Sequence, residues 1–111
     1  MSIRVEPSQL VDHVGRRPFA YVVSSGSGES PVHVVAVAVT LDGAAVDCSR
    51  VGGSTRRNIE TQPLVTVVWP PHEDATEFAR YTVIADGRAS INGESVVVDV
   101  ESAILHRPAD V

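Results

Sequence analysis

"VHVVAVAVTLDGAAVDCS", residues 32–49, is a long valine-rich run that meets Asp-Gly and returns as a second, shorter apolar stretch. From Val32 to Leu41 the run is mostly apolar at both parities, so a strand made from it needs cover on both faces. Asp42–Gly43 signals a tight hairpin, because glycine supplies the left-handed backbone such turns require. The return strand then falls in "AAVDCS", and β structure becomes the frame for the rest of the chain.

Upstream, "PSQLVDHVG" (7–15) predicts a short helix: Ser8 caps it, Leu10, Val11 and Val14 form its apolar stripe, and Gly15 ends it. "FAYVVSS" (19–25) predicts a strand and "GSGESP" (26–31) a turn. Downstream, "TRRNIET" (55–61) predicts a helix of two turns, capped by Ser54 or Thr55 and stopped ahead of Pro63. "LVTVVW" (64–69) is a buried strand closed by Pro70–Pro71, and "HEDATEFAR" (72–80) is a polar connection with some helix. "YTVIADGRASI" (81–91) and "ESVVVDVESAIL" (94–105) are strands joined at Asn92–Gly93, a second hairpin signal. Val96, Val98 and Val100 alternate with Val97 and Asp99, the pattern of a sheet with one buried face. Asp86–Gly87, inside a strand, predicts a bulge. The inventory is six strands and two short helices. A mainly β, six-stranded antiparallel barrel satisfies it, since a barrel removes the edges that so much valine would make hazardous. The outward faces of "HVVAVAV" and "VTVVW" still need cover, which predicts a two-fold homodimer.

With 111 residues the chain makes one domain, 1–111, around one core, and its 43% hydrophobic content is that of a folded protein. No apolar run approaches the roughly 20 residues of a membrane span, and "MSIRVEPSQL" does not read as a secretory signal. One cysteine excludes an internal disulfide, and the four histidines (13, 33, 72, 106) lack ligand spacing, so no metal site is expected. A cytoplasmic protein is the expectation. The formal charge of −5 excludes a general nucleic-acid binder. All nine basic residues are arginine, which excludes a lysine Schiff base and a Walker-type lysine.

Against that acidic background, "CSRVGGSTRRNIETQP" (48–63) gathers Arg50, Arg56 and Arg57 around Gly52, Gly53, Ser54 and Thr55 at a helix start. The free N–H groups there carry partial positive charge, glycine lets a ligand approach the backbone, and arginine adds charge-assisted bonds. Ser49, Ser54 and Thr55 offer hydroxyls. These are the parts of a phosphate seat; the plainer reading is a solvated loop and an exposed helix. Cys48 reads most simply as a small buried residue and His33 as a structural hydrogen-bonding one. Trp69 can finish a core or cover a ring.

"HVVAVAVTLDG", "AVDCS", "GGSTRRNI" and "QPLVTVVWPP", followed by "YTVIADGRASI", resemble in order and wording the FMN-binding split-barrel proteins, the pyridoxamine 5′-phosphate oxidase-like family. The resemblance spans roughly residues 18 to 105. It implies a split barrel and an FMN, or a deazaflavin coenzyme, at the interface of a dimer. The cofactor contacts it implies fall on Cys48, Ser49 and Arg50. The phosphate falls on Ser54 and Thr55 with Arg56 or Arg57, and the ring wall on His33, Val34 and Val35, with Trp69 a further candidate. Thr55 stands where the family places a lysine. The arginine-rich C-terminal motif of the true oxidase is absent, so vitamin-B6 oxidation is not implied. The expectation is a flavin-dependent oxidoreductase acting on a small molecule. The alternative is a dimer that binds a flavin, another phosphorylated ligand or haem without turnover.

Overall fold

Two glycines with left-handed backbone set the hairpins of the sheet. Gly43 (φ 58°) and Gly93 (φ 63°) each occupy the first of two loop residues, between the pairs Asp42–Ala45 and Asn92–Ser95. No non-glycine residue among those described has positive φ, so Ala44 and Glu94 complete type II′ turns, whose twist suits antiparallel strands. The computed structural model describes residues 2–15, 17–26, 32–72 and 80–108. Most of the expected turn at 26–31 and of the polar connection at 72–80 lies outside the described residues.

The strands are β1 (Ser2–Val5), β2 (Ala20–Ser24), β3 (His33–Val37), β4 (Val39–Asp42), β5 (Ala45–Cys48), β6 (Leu64–Trp69), β7 (Thr82–Asn92) and β8 (Ser95–His106). They form one antiparallel sheet in the order β3-β2-β6-β7-β8-β5-β4, with β1 paired to the far end of β8. Eight strands replace the expected six, for two reasons. The long apolar run breaks at Ala38 into β3 and β4, and "SIRV" near the N-terminus is a short strand of its own. The break closes the architecture. β3 and β4 stand at opposite ends of the sheet order yet are joined through one residue, so the sheet must curl until its edges approach. The result is a split barrel.

Alternate residues fill the barrel. Val22, Val46, Val67, Val83, Val96, Val98 and Leu105 are wholly buried, and Trp69 is the largest side chain among them. A 3-10 turn at Pro7–Gln9 leads into α1 (Leu10–Val14), which seats Leu10 and Val14 in the core. Ser8 does not cap it; Gly15, with φ 62°, ends it as expected. Arg17 fastens the end of β6 by donating from Nη1 to the carbonyls of Trp69 (3.0 Å) and Pro70 (3.1 Å).

The second helix, α2 (Gly53–Thr61), packs against β2, β3 and β7. Its buried face holds Thr55, Asn58 and Ile59, and Asn58 Nδ2 donates to Ser24 Oγ at 3.2 Å beneath the helix. The β7–β8 ladder slips between Asp86 and Gly87: Asp86 pairs with Ser102 and Gly87 with Val100, leaving Glu101 as the extra residue. This is the expected bulge. A Cβ at residue 87 would collide with the Asp99 carbonyl, so the crossing needs glycine.

One face of the sheet remains apolar on the outside. Val34 (56% exposed) lies opposite Val23, and Tyr21 (37%) lies between Ala36 and Val68. Val68 in turn meets Ile84, and Ile84 meets Ile104. The band therefore crosses five strands. Phe19 supports it, edge-on to Tyr21 with ring centroids 5.2 Å apart.

Candidate functional site

The chain leaves β5 through Cys48, Ser49 and Arg50 and enters α2 over two glycines. Gly52 is the N-cap, in extended backbone (φ −72°, ψ 171°), and no side chain caps the helix. The expected cap at Ser54 or Thr55 is therefore two or three residues late. Arg56 N–H makes the first helical bond, to the Gly52 carbonyl at 3.1 Å. The amides of Gly53, Ser54 and Thr55 precede it and have no acceptor within the helix.

The arginines divide. Arg56 Nη2 donates to the Gly93 carbonyl at 2.9 Å, tying the helix start to the β7–β8 turn. Arg50, Val51, Arg56 and Glu94 line a groove of about 440 Å³ between them. Arg57 instead lies along the first turn, with Nη2 donating to Ser54 Oγ at 3.3 Å. Two guanidinium groups in the groove, beside a helix start whose first three amides have no acceptor within the helix, suit a phosphate group.

Other expected site residues are dispersed. Cys48 is fully buried, and burial, with Asp47 adding to it, pushes its thiol up to about 11. Only its backbone is available to a ligand. Thr55 points into the protein: its side chain is buried and Oγ1 has no hydrogen-bond partner, so the helix start does not present its hydroxyl to a ligand. His33, Val34 and Val35 do not form one wall. His33 pairs with Ser24 and Val35 with Val22, both on the inner side, while Val34 faces outward. Trp69 is wholly inside the barrel and covers no ring in this chain. Its parity with Val65 and Val67, both buried, already carries that signal.

Two features are not anticipated by motif. Glu94 joins the arginine groove because the hairpin tip folds over the helix start, which nothing local in "NGES" indicates. On the outward face, a pocket of about 350 Å³ is lined by Ser25, Leu64, Thr66, Asp86, Glu101 and Ser102, among others. There Thr66 Oγ1 donates to Asp86 Oδ1 at 2.5 Å. The bulge could have hinted at it, since bulges re-aim side chains. Among the described residues, no three His, Cys, Asp or Glu side chains could hold a metal ion together. None of the described helices is long and apolar enough to cross a membrane.

No family model matches the chain. An uncharacterized protein of Mycobacterium bovis and one of Mycobacterium tuberculosis are each 33% identical to it over 122 residues, covering 96% of this chain and 82% of theirs. Among solved structures, an FAD-binding protein from Mesorhizobium loti superimposes with TM-score 0.70 at 12% identity, covering 95% of this chain and 96% of that one. The FMN-binding domain of a flavin reductase-like enzyme from Shewanella baltica gives TM-score 0.65 at 11% identity, over 95% and 77%. HutZ, the haem storage protein of Vibrio cholerae, gives 0.55 at 14%, over 97% and 93%. The chain thus belongs to one family with the two mycobacterial proteins, built on the split barrel of the FMN-binding, pyridoxamine 5′-phosphate oxidase-like group.

Proposed function

We propose that this protein is a cytoplasmic, homodimeric oxidoreductase that works on a small molecule through a flavin-type coenzyme, FMN or a deazaflavin. The observation that carries the reading is the uncapped start of α2 set among Arg50, Arg56 and Arg57 in an acidic chain without lysine. Bound there, the coenzyme supplies the electron or hydride chemistry. The chain's part is to hold and orient it. Residues 49–57 take the phosphate through arginine and backbone N–H groups. The apolar band of Tyr21, Val34, Val68 and Ile84 meets its copy on a second subunit and excludes water from the ring.

The test is a titration of the purified protein with FMN and with the deazaflavin coenzyme, followed by flavin fluorescence. Saturable binding supports the reading; no binding at tens of micromolar, the weak end of specific recognition, overturns it. Replacing Arg56 and Arg57 together with alanine should weaken binding about tenfold or more while the circular dichroism spectrum stays native. Unchanged affinity would mean that neither holds the phosphate.

A carrier that binds without turnover is the second reading. Thr55 favours it, because it stands where the resembled family places a lysine. Bleaching of the bound coenzyme by a nicotinamide donor separates enzyme from carrier. A Soret band on adding haemin, with no response to flavin, would identify a haem carrier.

A further inference from the structure

The bulge in β8 does more than let two strands cross. Burial alternates along this strand as far as Val100, and then Glu101 and Ser102 are exposed in succession before Ala103 turns inward. The extra residue thus puts two neighbouring side chains on the outer face, where strict alternation would bury one of them. Asp86 stands opposite Ser102, and Thr66 stands opposite Asp86. Further across the sheet Thr66 pairs with Val23, and Val23 with Val34. One outward row therefore runs from an apolar end at β3 to an acidic end at β8.

The middle of that row is concave. In the pocket of about 350 Å³ there, Val23 and the half-exposed Leu64 form an apolar wall, and Asp86 and Glu101 an acidic one. The volume falls within the roughly 300–1,000 Å³ of small-molecule sites. No arginine or histidine lines the pocket, so its two carboxylates give it a formal charge of −2. Arg88, two residues along β7, stands opposite Asp99 and lies outside the lining. Thr66 Oγ1 donates to Asp86 Oδ1, which steadies that carboxylate and leaves its second oxygen as an acceptor. An ionised carboxylate only accepts hydrogen bonds, so a matching ligand brings N–H donors and positive charge. An inorganic cation is a poor match: among the described residues no three His, Cys, Asp or Glu side chains could hold a metal ion together, and one wall is apolar. We propose that this pocket binds a small organic cation, a protonated amine on an apolar body. Asp86 and Glu101 take the ammonium N–H groups, and Val23 and Leu64 cover the hydrocarbon. The pocket shares no lining residue with the arginine groove, and the proposal does not rest on the coenzyme reading.

Phenethylamine hydrochloride, titrated into the whole chain and followed by nitrogen–proton correlation NMR, tests it, with phenethyl alcohol as the uncharged match. The amine should bind with a Kd of about 1 mM or tighter, and the shifted amides should centre on residues 64–66, 86–87 and 101–102. The alcohol should bind about tenfold more weakly or worse, since it lacks the charge. Asp86→Asn combined with Glu101→Gln, both at exposed positions, should weaken the amine about tenfold and leave the alcohol within about twofold. Leu64→Ala should weaken amine and alcohol alike, because it removes wall and not charge. Equal affinity for amine and alcohol overturns the proposal, as do shifts centred elsewhere. So does an amine that fails to bind at about 10 mM, beyond the weak end of specific recognition. The pocket's row adjoins the apolar band, so the double substitution is also followed by light scattering. A changed oligomeric state with unchanged amine affinity would give the carboxylates to a basic side chain of a second copy, and would overturn the ligand site too.

Discussion

Cys48 shows how one residue can sit in the segment we propose for the cofactor without offering it a side chain. Its thiol is enclosed by the barrel and its pKa is pushed up to about 11, first by burial and then by Asp47. Native protein at pH 8 should therefore resist thiol reagents that label it at once in denaturant. The raised pKa also sets a sign. Between the ordinary thiol value and about 11 the folded state keeps a proton that the unfolded state has lost, so stability falls as pH rises through that window. Denaturation midpoints between pH 8 and 11 check this, and Cys48→Ala should flatten the slope. Thr55 presents the opposite case, a hydroxyl buried without a partner. Thr55→Val keeps the shape and removes the desolvated group, so it should be neutral or stabilising by about 1 kcal/mol. Coenzyme affinity should not change. A loss of affinity would place the hydroxyl in the site after all.

At the scale of elements, the bulge in β7–β8 and the polar contact under α2 are the parts most exposed to single substitutions. Gly87→Ala puts a methyl group into the Asp99 carbonyl and should cost about 2–4 kcal/mol in urea unfolding, with the ladder beyond the bulge displaced. Asn58→Ala strips the buried Ser24 hydroxyl of its donor and should cost about 1–3 kcal/mol. Elements of this kind differ in how far their residues announce them. The two hairpins were legible because Gly43 and Gly93 carry the turn in their own backbone. The bulge was legible for a similar reason, since Asp-Gly interrupts an alternating strand. The division at Ala38 was not, because a barrel corner inside a valine run changes no residue type. β1 was not legible either: a short strand whose partner is β8, far along the chain, has no local pattern to betray it. In the candidate site, the uncapped helix start beside arginines could be read from glycine and arginine. The orientation of Thr55 and the arrival of Glu94 depend on a helix start two residues early and on a hairpin folding back, which are tertiary facts.

For the molecule as a whole, the outward band from Val34 through Tyr21 to Ile104 is too apolar to be left to water, and a second copy is the cover we propose. Size-exclusion chromatography with light scattering should give a dimer, and Val34→Asp, at a position 56% exposed in the single chain, should shift it to monomer without unfolding it. A native-like monomer in the unsubstituted protein would remove the dimer from the proposal. The outermost pairing has a consequence of another kind. Among the described strands β1 pairs with β8 alone, in a register that sets Ser2 opposite His106. Contacts so distant along the chain close slowly, and each must wait for everything between them to take shape. On the ribosome, the strand that emerges among the first has no partner until nearly the whole domain has been made, so β1 is among the last strands able to dock.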